Sequence, residues 1–332
     1  MSEAHETKMT SPPDCFVLGA GLGTRLRPLT DQLPKPLVPV GLKPLITFAF
    51  DHLIADAGAD VFIVNTHHLA ETFPTAFPDG NYRGRPIHFR HEPGLLETGG
   101  GIRNIADLLR RDRPLLVYNG DILTDLPLAP ALASHRASGH LVTMVLRSSG
   151  EPKHVALDAA SGTVLDVRDR FGNGHPHEHA FTGIYLVEPA LVEFIPAETK
   201  ISIIPILIDL IREGKTVGGV VIDEGEWRDL GSRKEYLEVH RALRNDLAET
   251  FPRYGAPDPK WREWISWQAQ IGAGARVLGC SSVGAGATLG DGALIEDSII
   301  WSGGHVAAEA RLRGCIVRGG STASGELKGK DV

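Results

Sequence analysis

Residues 19–40 read GAGLGTRLRPLTDQLPKPLVPV, and this stretch decides the fold and chemistry to be expected of the chain. Gly19, Gly21 and Gly23 permit positive φ angles and close backbone approach, so main-chain N–H groups can face anionic oxygens. Arg25 adds a guanidinium fork and Lys35 a compact positive charge, which are the two donor geometries suited to phosphate. The stretch therefore predicts a loop that binds a polyphosphate.

Two familiar phosphate motifs do not describe this loop. A dinucleotide-binding G-x-G-x-x-G pattern fails because Thr24 stands where the last glycine would be, and no G-K-[ST] follows as in a Walker loop. A purely structural turn would explain the glycines but not the joint presence of Arg25 and Lys35. Pro28, Pro34 and Pro36 stiffen the loop and lower the entropy lost on binding.

The sequence around the loop alternates between buried strands and amphipathic helices. Apolar runs typical of strands lie at 15–18, 61–64, 115–118, 141–146, 181–187 and 217–222. Helical spacing of apolar residues is found at 46–57, 99–109 and 204–212. This alternation predicts a mostly parallel sheet covered on both faces, with ligands beyond the carboxyl ends of its strands. The glycine loop and the loop after Tyr118 both lie at such ends.

Residues 271–320 are periodic and predict a second, smaller domain. Aliphatic residues recur every six positions among small residues, which indicates a hexapeptide β-helix of about three coils; they are Ile271, Val277, Val283, Leu289 and Ile295. After Trp301 the register slips by one, with Val306 and Leu312 as the next inward candidates and an irregularity at 302–305. We expect residues 321–332 to form a tail.

The remaining boundaries follow from composition. Residues 1–13 are polar and predict a disordered tail, which leaves 14–243 as the α/β domain. Residues 244–270 predict a linker with prolines followed by Trp261, Trp264 and Trp267 at three-residue spacing. That spacing fits one face of a short helix packed between the domains, and a stacking platform for a sugar or base is the alternative.

Charge and cysteine content exclude several classes of protein. Lys plus Arg number 34 against 41 Asp plus Glu, a net charge of −7, so no general basic field is available for nucleic acid. The three cysteines are far apart and lack metal-ligand spacing, which suits a reducing compartment. Neither a signal peptide nor a membrane-spanning run is evident. We expect a cytoplasmic protein with no nucleic-acid or membrane partner.

Two aspartates are candidate metal ligands. Asp121 follows an apolar strand in the sequence Asn119-Gly120-Asp121, and Asp229 lies in a later turn with Gly231. Two carboxylates converging on one pocket would hold Mg²⁺ against triphosphate oxygens. Taken singly, each aspartate is equally typical of a turn or a helix cap.

Residues 19–40 resemble the signature of the sugar-phosphate nucleotidyltransferases. The resemblance continues through ETGGG at 97–101, NGD at 119–121, FTGI at 181–184 and WRDLG at 227–231. The hexapeptide region is similar to the C-terminal domain that many members carry, including SIIW at 298–301 and CIV at 315–317. The resemblance implies a Rossmann-like, mixed, mostly parallel α/β domain followed by a short left-handed parallel β-helix.

It also implies a reaction in which a sugar 1-phosphate attacks the α-phosphorus of a nucleoside triphosphate, releasing pyrophosphate and giving a nucleoside diphosphate sugar. The attacking phosphate is already an anion, so neither a covalent intermediate nor a general base is needed. Arg25 and Lys35 take catalytic roles, and Asp121 with Asp229 binds Mg²⁺. The implied nucleotide-binding residues are Gly19, Ala20, Gly21, Gly23, Thr24, Glu97, Thr98, Gly99 and Gly100. The implied sugar-phosphate residues are Asn119, Arg168, Thr182 and Gly183.

For some of these residues a purely structural role is the alternative. Backbone groups around Thr98 and Gly99 would read the base, or Thr98 caps a glycine-rich helix start. Thr182 and Gly183 are equally compatible with an ordinary buried strand.

The region 166–171 departs from the family pattern. Many relatives carry a lysine here that holds the sugar phosphate, and the sequence instead offers Arg168 or Arg170 as the anion donor. The following histidines, His175, His177 and His179, either bind a metal or belong to a solvated loop.

Residues 97–101 and 227–229 resemble N-acetylmuramate-1-phosphate uridylyltransferases, whereas the hexapeptide tail is typical of mannose- or glucose-1-phosphate enzymes. The expected substrates are therefore UTP with N-acetylmuramate 1-phosphate or GTP with mannose 1-phosphate. A non-catalytic regulatory or assembly subunit is the alternative, because β-helices often mediate contacts between copies in a homo-oligomer. An acyltransferase activity of the tail is disfavoured, since three coils are short and His305 has no clear catalytic context.

Overall fold

The computed structural model describes residues 11–245, 247–251, 253 and 264–332. The expected disordered tail at 1–13 lies largely outside these residues, as do Trp261 and the linker prolines. The strands of the first domain are β1 (Asp14–Leu18), β2 (Pro39–Val40), β3 (Lys43–Pro44), β4 (Phe62–Thr66), β5 (Asn81–Tyr82), β6 (Arg85–His91), β7 (Leu115–Asn119), β8 (Ile122–Thr124), β9 (Val142–Arg147), β10 (Val155–Asp158), β11 (Thr163–Val167), β12 (Ala180–Val187), β13 (Val217–Val221) and β14 (Trp227–Asp229).

The helices are α1 (Ile46–Ala57), α2 (Thr72–Ala76), α3 (Glu97–Asn104), α4 (Ala129–Ser138), α5 (Ile203–Arg212), α6 (Arg233–Asn245) and α7 (Leu247–Thr250). Short 3-10 turns occupy Thr24–Leu26, Leu29–Asp31, Lys35–Leu37, Ala106–Leu108 and Pro189–Phe194. Among the described residues, no helix is long and apolar enough to cross a membrane.

A ten-stranded sheet forms the centre of the first domain, in the order β10-β11-β13-β9-β12-β7-β1-β4-β6-β5. β7, β1, β4 and β6 are parallel, and β12 runs antiparallel between β7 and β9. Both faces are covered, because Cys15 and Val17 pack with α1 on one side while Phe16 packs with α3 and α5 on the other. Because the sheet is buried on both faces, residues 15–18 of β1 form an unbroken apolar run. The expected mixed, mostly parallel α/β fold is confirmed.

The second domain is a three-sided parallel β-helix, as expected. Its strands are β15 (Gln270–Ile271), β16 (Arg276–Leu278), β17 (Ser282–Val283), β18 (Thr288–Leu289), β19 (Leu294–Glu296), β20 (Ile299–Ile300), β21 (His305–Val306), β22 (Arg311–Arg313), β23 (Ile316–Val317), β24 (Thr322–Ala323) and β25 (Glu326–Lys328). They form three parallel sheets, β15-β18-β21-β24, β16-β19-β22-β25 and β17-β20-β23. The solenoid thus has three complete coils and two strands of a fourth.

Two details of the solenoid differ from the sequence expectation. Residues 321–332 are not a tail, because β24 and β25 pair with β21 and β22; the small inward residue Ala323 concealed the last coil. The register slip lies at 296–298 and not at 302–305. Ile300 follows Ile295 as the inward residue, and Asp297 turns the shortened corner with a φ of 48°.

The tryptophan segment is not helical over its described part, residues 264–270. Ile265 bridges to Val283 and the Ser266 N–H donates to the Val283 carbonyl, so the backbone pairs with the solenoid. Trp264 is buried between the two domains, whereas Trp267 is 86% exposed. Of the two tryptophans in the described part of this segment, Trp264 is therefore the one that packs between the domains.

Candidate active site

Lys35 is the centre of the candidate active site. It lies in the 3-10 turn Lys35–Leu37, is only 5% exposed, and its Nζ lies 2.8 Å from both Asp121 Oδ2 and Asp229 Oδ1. A buried ammonium requires such partners, because desolvation of an unpaired charge costs several kcal/mol. The two carboxylates expected from the sequence thus converge on the cation of the glycine loop.

The sheet explains why residues so distant in sequence meet here. Asp121 emerges from β7 through Gly120, whose N–H donates to the Leu18 carbonyl at the end of β1. Asp229 ends β14, and β14 pairs antiparallel with β8 so that Asp229 stands opposite Ile122. Both aspartates are therefore held by backbone pairing next to the loop that follows β1.

The charges around Asp229 favour its ionised form. Burial alone would raise the pKa of Asp229, but the charge and hydrogen bond of Lys35 and those of Arg25 outweigh burial and lower it. Arg25 Nη2 donates to Asp229 Oδ2 at 3.1 Å, and the Arg25 side chain is 72% exposed. An exposed guanidinium can leave this contact and reach an anionic ligand at little cost.

A cavity of about 340 Å³ opens beside Lys35. Predicted site residues that line it are Ala20, Gly21, Gly23, Lys35, Glu97, Thr98, Asn119 and Asp121. A neighbouring cavity of about 150 Å³ shares Gly23, Lys35 and Asp121 with the first and also contacts Thr24 and Arg25. The structure therefore places most of the expected phosphate and nucleotide residues around two adjoining spaces, with Lys35 and Asp121 between them.

Asn65 is a site residue that the sequence analysis missed. It lines the larger cavity, its Oδ1 accepts the Gly19 N–H at 2.8 Å, and its Nδ2 donates to Glu92 Oε1 at 2.7 Å. Glu92 is fully buried and its Oε2 accepts the Leu96 N–H at 2.9 Å. This chain of bonds joins the start of the glycine loop to the start of α3. The available signal in the sequence was that this polar residue directly follows the apolar run 61–64.

The ETGGG segment has a different role from the one expected for its amides. The N–H groups of Gly99 and Gly100 both donate to the Ile201 carbonyl, at 2.9 and 3.0 Å. A Cβ at Gly100 would lie 2.4 Å from the Thr199 carbonyl oxygen, so residues 199–202 can cross here only over glycine. These two amides are engaged within the protein and do not face a base.

The first two residues of the segment remain at the cavity. Glu97 has a φ of 61°, a conformation rarely adopted by non-glycine residues, and lines the cavity beside Thr98. Thr98 Oγ1 accepts the Ile203 N–H at 2.8 Å, so its hydroxyl holds the start of α5 and does not cap α3. Any contact with a base would therefore come from Glu97 and the adjoining backbone.

The four expected sugar-phosphate residues are not all brought together. Asn119 lines the cavity, and Gly183 lies directly against the Asn119 side chain. Thr182 is buried, and its hydroxyl donates to the Val145 carbonyl at 2.8 Å, so it serves the sheet. Arg168 is exposed after β11, does not line either cavity, and β11 is separated from β7 by three strands in the sheet order. Arg170 is equally absent from both linings.

A substitution at Gly183 tests whether the position of Asn119 in the cavity lining matters for activity. The φ of Gly183 is 81°, and a Cβ there would lie 2.4 Å from Asn119 Nδ2. We expect Gly183→Ala to displace Asn119, lower the free energy of unfolding by about 1–3 kcal/mol and reduce activity at least about tenfold. Thermal unfolding and initial rates measure the two effects.

Gly214 provides the matched control, because its φ is 72° but a Cβ there would meet nothing within 4 Å. Gly214→Ala should cost a similar backbone strain and leave activity unchanged. Equal activity losses in both variants would show that the displacement of Asn119 has no part in the effect.

The histidine loop contains a small cluster of potential metal ligands. Ligand atoms of Asp166, Asp169 and His177 lie within 4.8 Å of one another. Asp166 already accepts the N–H groups of Arg170 and Phe171, and His177 Nε2 accepts the Asp169 N–H. These bonds are those of a turn that folds on its own side chains, so we assign the cluster to the structure of the loop.

Asp121 and Asp229 fit Mg²⁺ better. Their side chains are 37% and 32% exposed, they offer hard oxygen ligands, and Asp121 faces both cavities. Mg²⁺ typically takes one or two carboxylates and completes its octahedron with waters and substrate phosphates. When bound, the ion would neutralise phosphate oxygens in the shared space.

The fold and this site define an α/β protein with an appended β-helix and a charged cavity beside its glycine loop. The family model described as nucleotidyl transferase matches residues 15–246, and the chain belongs to this family. The expected resemblance to sugar-phosphate nucleotidyltransferases is thereby confirmed.

Three relatives are named for sugar 1-phosphates. A mannose-1-phosphate guanylyltransferase of Mycobacterium tuberculosis is 31% identical over 93% of this chain and 84% of its own length. A UTP–glucose-1-phosphate uridylyltransferase of Synechocystis is 26% identical over 92% of this chain and 87% of its own. An N-acetylmuramate alpha-1-phosphate uridylyltransferase of Neisseria meningitidis is 32% identical over 65% of this chain and 92% of its own.

The fold is also that of a solved UDP-glucose pyrophosphorylase from Acinetobacter baumanii. The TM-score is 0.57 at 17% identity, and the match covers 71% of this chain and 95% of the other. At this identity the likeness concerns the fold.

Proposed function

We propose that this chain transfers a nucleoside monophosphate from a nucleoside triphosphate to a sugar 1-phosphate, releasing pyrophosphate and forming a nucleoside diphosphate sugar. The observation that carries the proposal is the convergence of Lys35, Asp121 and Asp229 beside the cavity that the glycine loop lines. The two partly exposed carboxylates are suited to hold Mg²⁺, and the ammonium beside them is suited to neutralise phosphate charge at the same point.

The chemistry asked of the protein is positioning and neutralisation of charge. The backbone around Gly21 and Gly23 and the cations Arg25 and Lys35 surround the space where a triphosphate would lie. The sugar phosphate would enter on the side of Asn119 and attack the α-phosphorus in line. No general base is required, because the nucleophile carries its negative charge already.

Two substrate pairs are supported to different degrees. GTP with mannose 1-phosphate is favoured because the guanylyltransferase relative is 31% identical over 93% of the chain, whereas the glucose-1-phosphate uridylyltransferase relative is 26% identical over 92%. UTP with N-acetylmuramate 1-phosphate is the second pair, since the relative of that name matches 65% of the chain at 32% identity. The base would contact Glu97 and the sugar would lie toward Gly183.

Pyrophosphate release decides between the pairs. The full chain with Mg²⁺ would be assayed with each of the four ribonucleoside triphosphates against mannose, glucose and N-acetylmuramate 1-phosphates. We expect one triphosphate and one sugar to exceed the others in kcat/KM by at least about tenfold, since buried hydrogen-bonding groups discriminate strongly. Absence of pyrophosphate with every pair would favour the non-catalytic subunit and refute the enzyme.

A further inference from the structure

The β-helix lies directly against the outer side of the phosphate-binding loop, residues 24–40. Leu26, Leu29, Val38 and Val40 of the loop share one buried cluster with solenoid residues. The solenoid members of that cluster are Ile299, Trp301 and Ile316. Burial of apolar area on both sides stabilises their contact. The loop therefore uses the solenoid as part of its core.

Two polar contacts tie the same surfaces together. Arg318 Nη1 donates to the Pro28 carbonyl at 3.2 Å, and Gln32 Nε2 donates to the Gly319 carbonyl at 3.2 Å. Pro28 and Gln32 lie between Arg25 and Lys35 in the chain. The solenoid thus contacts the backbone that joins the two cations expected to bind phosphate.

A third contact runs through the helix α6. Trp301 Nε1 donates to the Tyr236 hydroxyl at 3.2 Å, and that hydroxyl donates to the Pro39 carbonyl at the end of the loop. Tyr236 is fully buried. The loop is therefore held at its middle by Arg318 and at its end by the Trp301–Tyr236 pair.

Arg318 is itself fixed before it reaches the loop. Its N–H and its Nε both donate to the Val332 carbonyl, at 2.9 and 3.3 Å. Restriction of a long side chain in this way lowers the entropy that its further hydrogen bonds would otherwise cost. Its guanidinium thus presents a preorganised donor to Pro28.

We propose that the β-helix positions the phosphate-binding loop for substrate, and that Arg318 is a positioning residue for the transfer reaction, acting through Pro28 on Arg25 and Lys35. The proposal rests on the proposed function. Arg318 touches neither cavity, so it acts on the fraction of molecules whose loop is ready to bind. A smaller competent fraction raises the apparent KM in proportion and leaves kcat at saturating triphosphate near its original value.

The test uses the full chain with Arg318→Gln, Gln32→Ala and both together. Arg311→Gln is the control, because Arg311 is an exposed arginine of β22 whose side chain lies outside this contact. Hydrogen exchange of peptides covering residues 24–38, without substrates, is expected to be about tenfold faster in Arg318→Gln than in the control. The double variant should raise KM for the triphosphate about three- to tenfold with kcat nearly unchanged.

Gln32→Ala leaves the solenoid untouched, so it keeps the test decisive if Arg318→Gln does not fold. Unchanged exchange in the folded variants would overturn the proposal, whatever substrate is used. Faster exchange with unchanged KM would also overturn it, because the contact would then serve only the stability of the loop. A wild-type chain without activity on any pair refutes the proposed function instead, and is distinguished by the substrate panel.

Discussion

Asp121→Asn is expected to reduce pyrophosphate release at least about a thousandfold while leaving the fold intact. The substitution keeps the size of the side chain but removes the charge that would bind Mg²⁺ and that now pairs with Lys35. Asp121 is partly exposed and contributes little to the apolar core. The melting temperature should therefore change by no more than a few degrees.

The comparison variant is Asp107→Asn. Asp107 is likewise an aspartate held in an ion pair, in this case with Arg90, and it lies outside both cavities. It should retain wild-type kcat/KM. Titration with Mn²⁺ in the absence of sugar provides a readout besides turnover, and Asp121→Asn should bind the ion more weakly than Asp107→Asn. Wild-type turnover and metal affinity in Asp121→Asn would remove this residue from the site.

Lys35→Met is expected to reduce kcat/KM by about a hundred- to a thousandfold and to destabilise the protein by about 1–3 kcal/mol at neutral pH. The variant leaves Asp121 and Asp229 facing each other without the ammonium that joins them. The matched control is Lys43→Met, which breaks the half-buried pair with Asp51 away from both cavities. That control should lose stability and keep activity.

The stability difference between wild type and Lys35→Met should depend on pH with a definite sign. Burial raises the pKa of Asp229, and in the wild type Lys35 with Arg25 reverses this and lowers it. A lowered pKa in the folded state adds stability above the ordinary pKa of an aspartate, and this contribution disappears as pH falls through the folded value.

Without Lys35, burial is opposed by the exposed Arg25 and no longer by the ammonium, so the pKa of Asp229 lies higher than in the wild type. The difference in unfolding free energy between the two proteins should therefore be largest at neutral pH and shrink below roughly pH 4. Denaturant unfolding at several pH values measures it. A difference that stays constant or grows on acidification would contradict the assigned role of Lys35 in stabilising the Asp229 carboxylate.

Local sequence predicted well those features that depend on backbone conformation and periodicity. The glycine loop after β1, the alternation of strands and helices and the six-residue repeat are all present at the expected places. Each depends on interactions among near neighbours, so the residue pattern reports it directly. The last coil was missed because Ala323 is too small to continue the aliphatic pattern.

The sequence predicted the role of a residue less well where that role depends on a contact with another helix, strand or loop. Gly99 and Gly100 are glycines because residues 199–202 cross them, and Thr182 directs its hydroxyl into the sheet. Trp267 shares its spacing with Trp264 but points away from the protein, since the segment follows the solenoid and not a helix. No local pattern contains this information.

The sequence by itself indicated that residues 19–40 form a cationic glycine loop, that Asp121 follows a strand at the edge of the sheet where this loop also lies, and that a β-helix follows. Only the tertiary structure decided that Lys35 bridges both aspartates, that Asn65 joins two loops, and that Arg318 contacts the loop from the solenoid. The physical reason is the difference in sequence range between the two kinds of interaction. Conformational preference and repeat period act between neighbours, whereas ion pairs and shared cores depend on where the sheet and solenoid bring distant residues together.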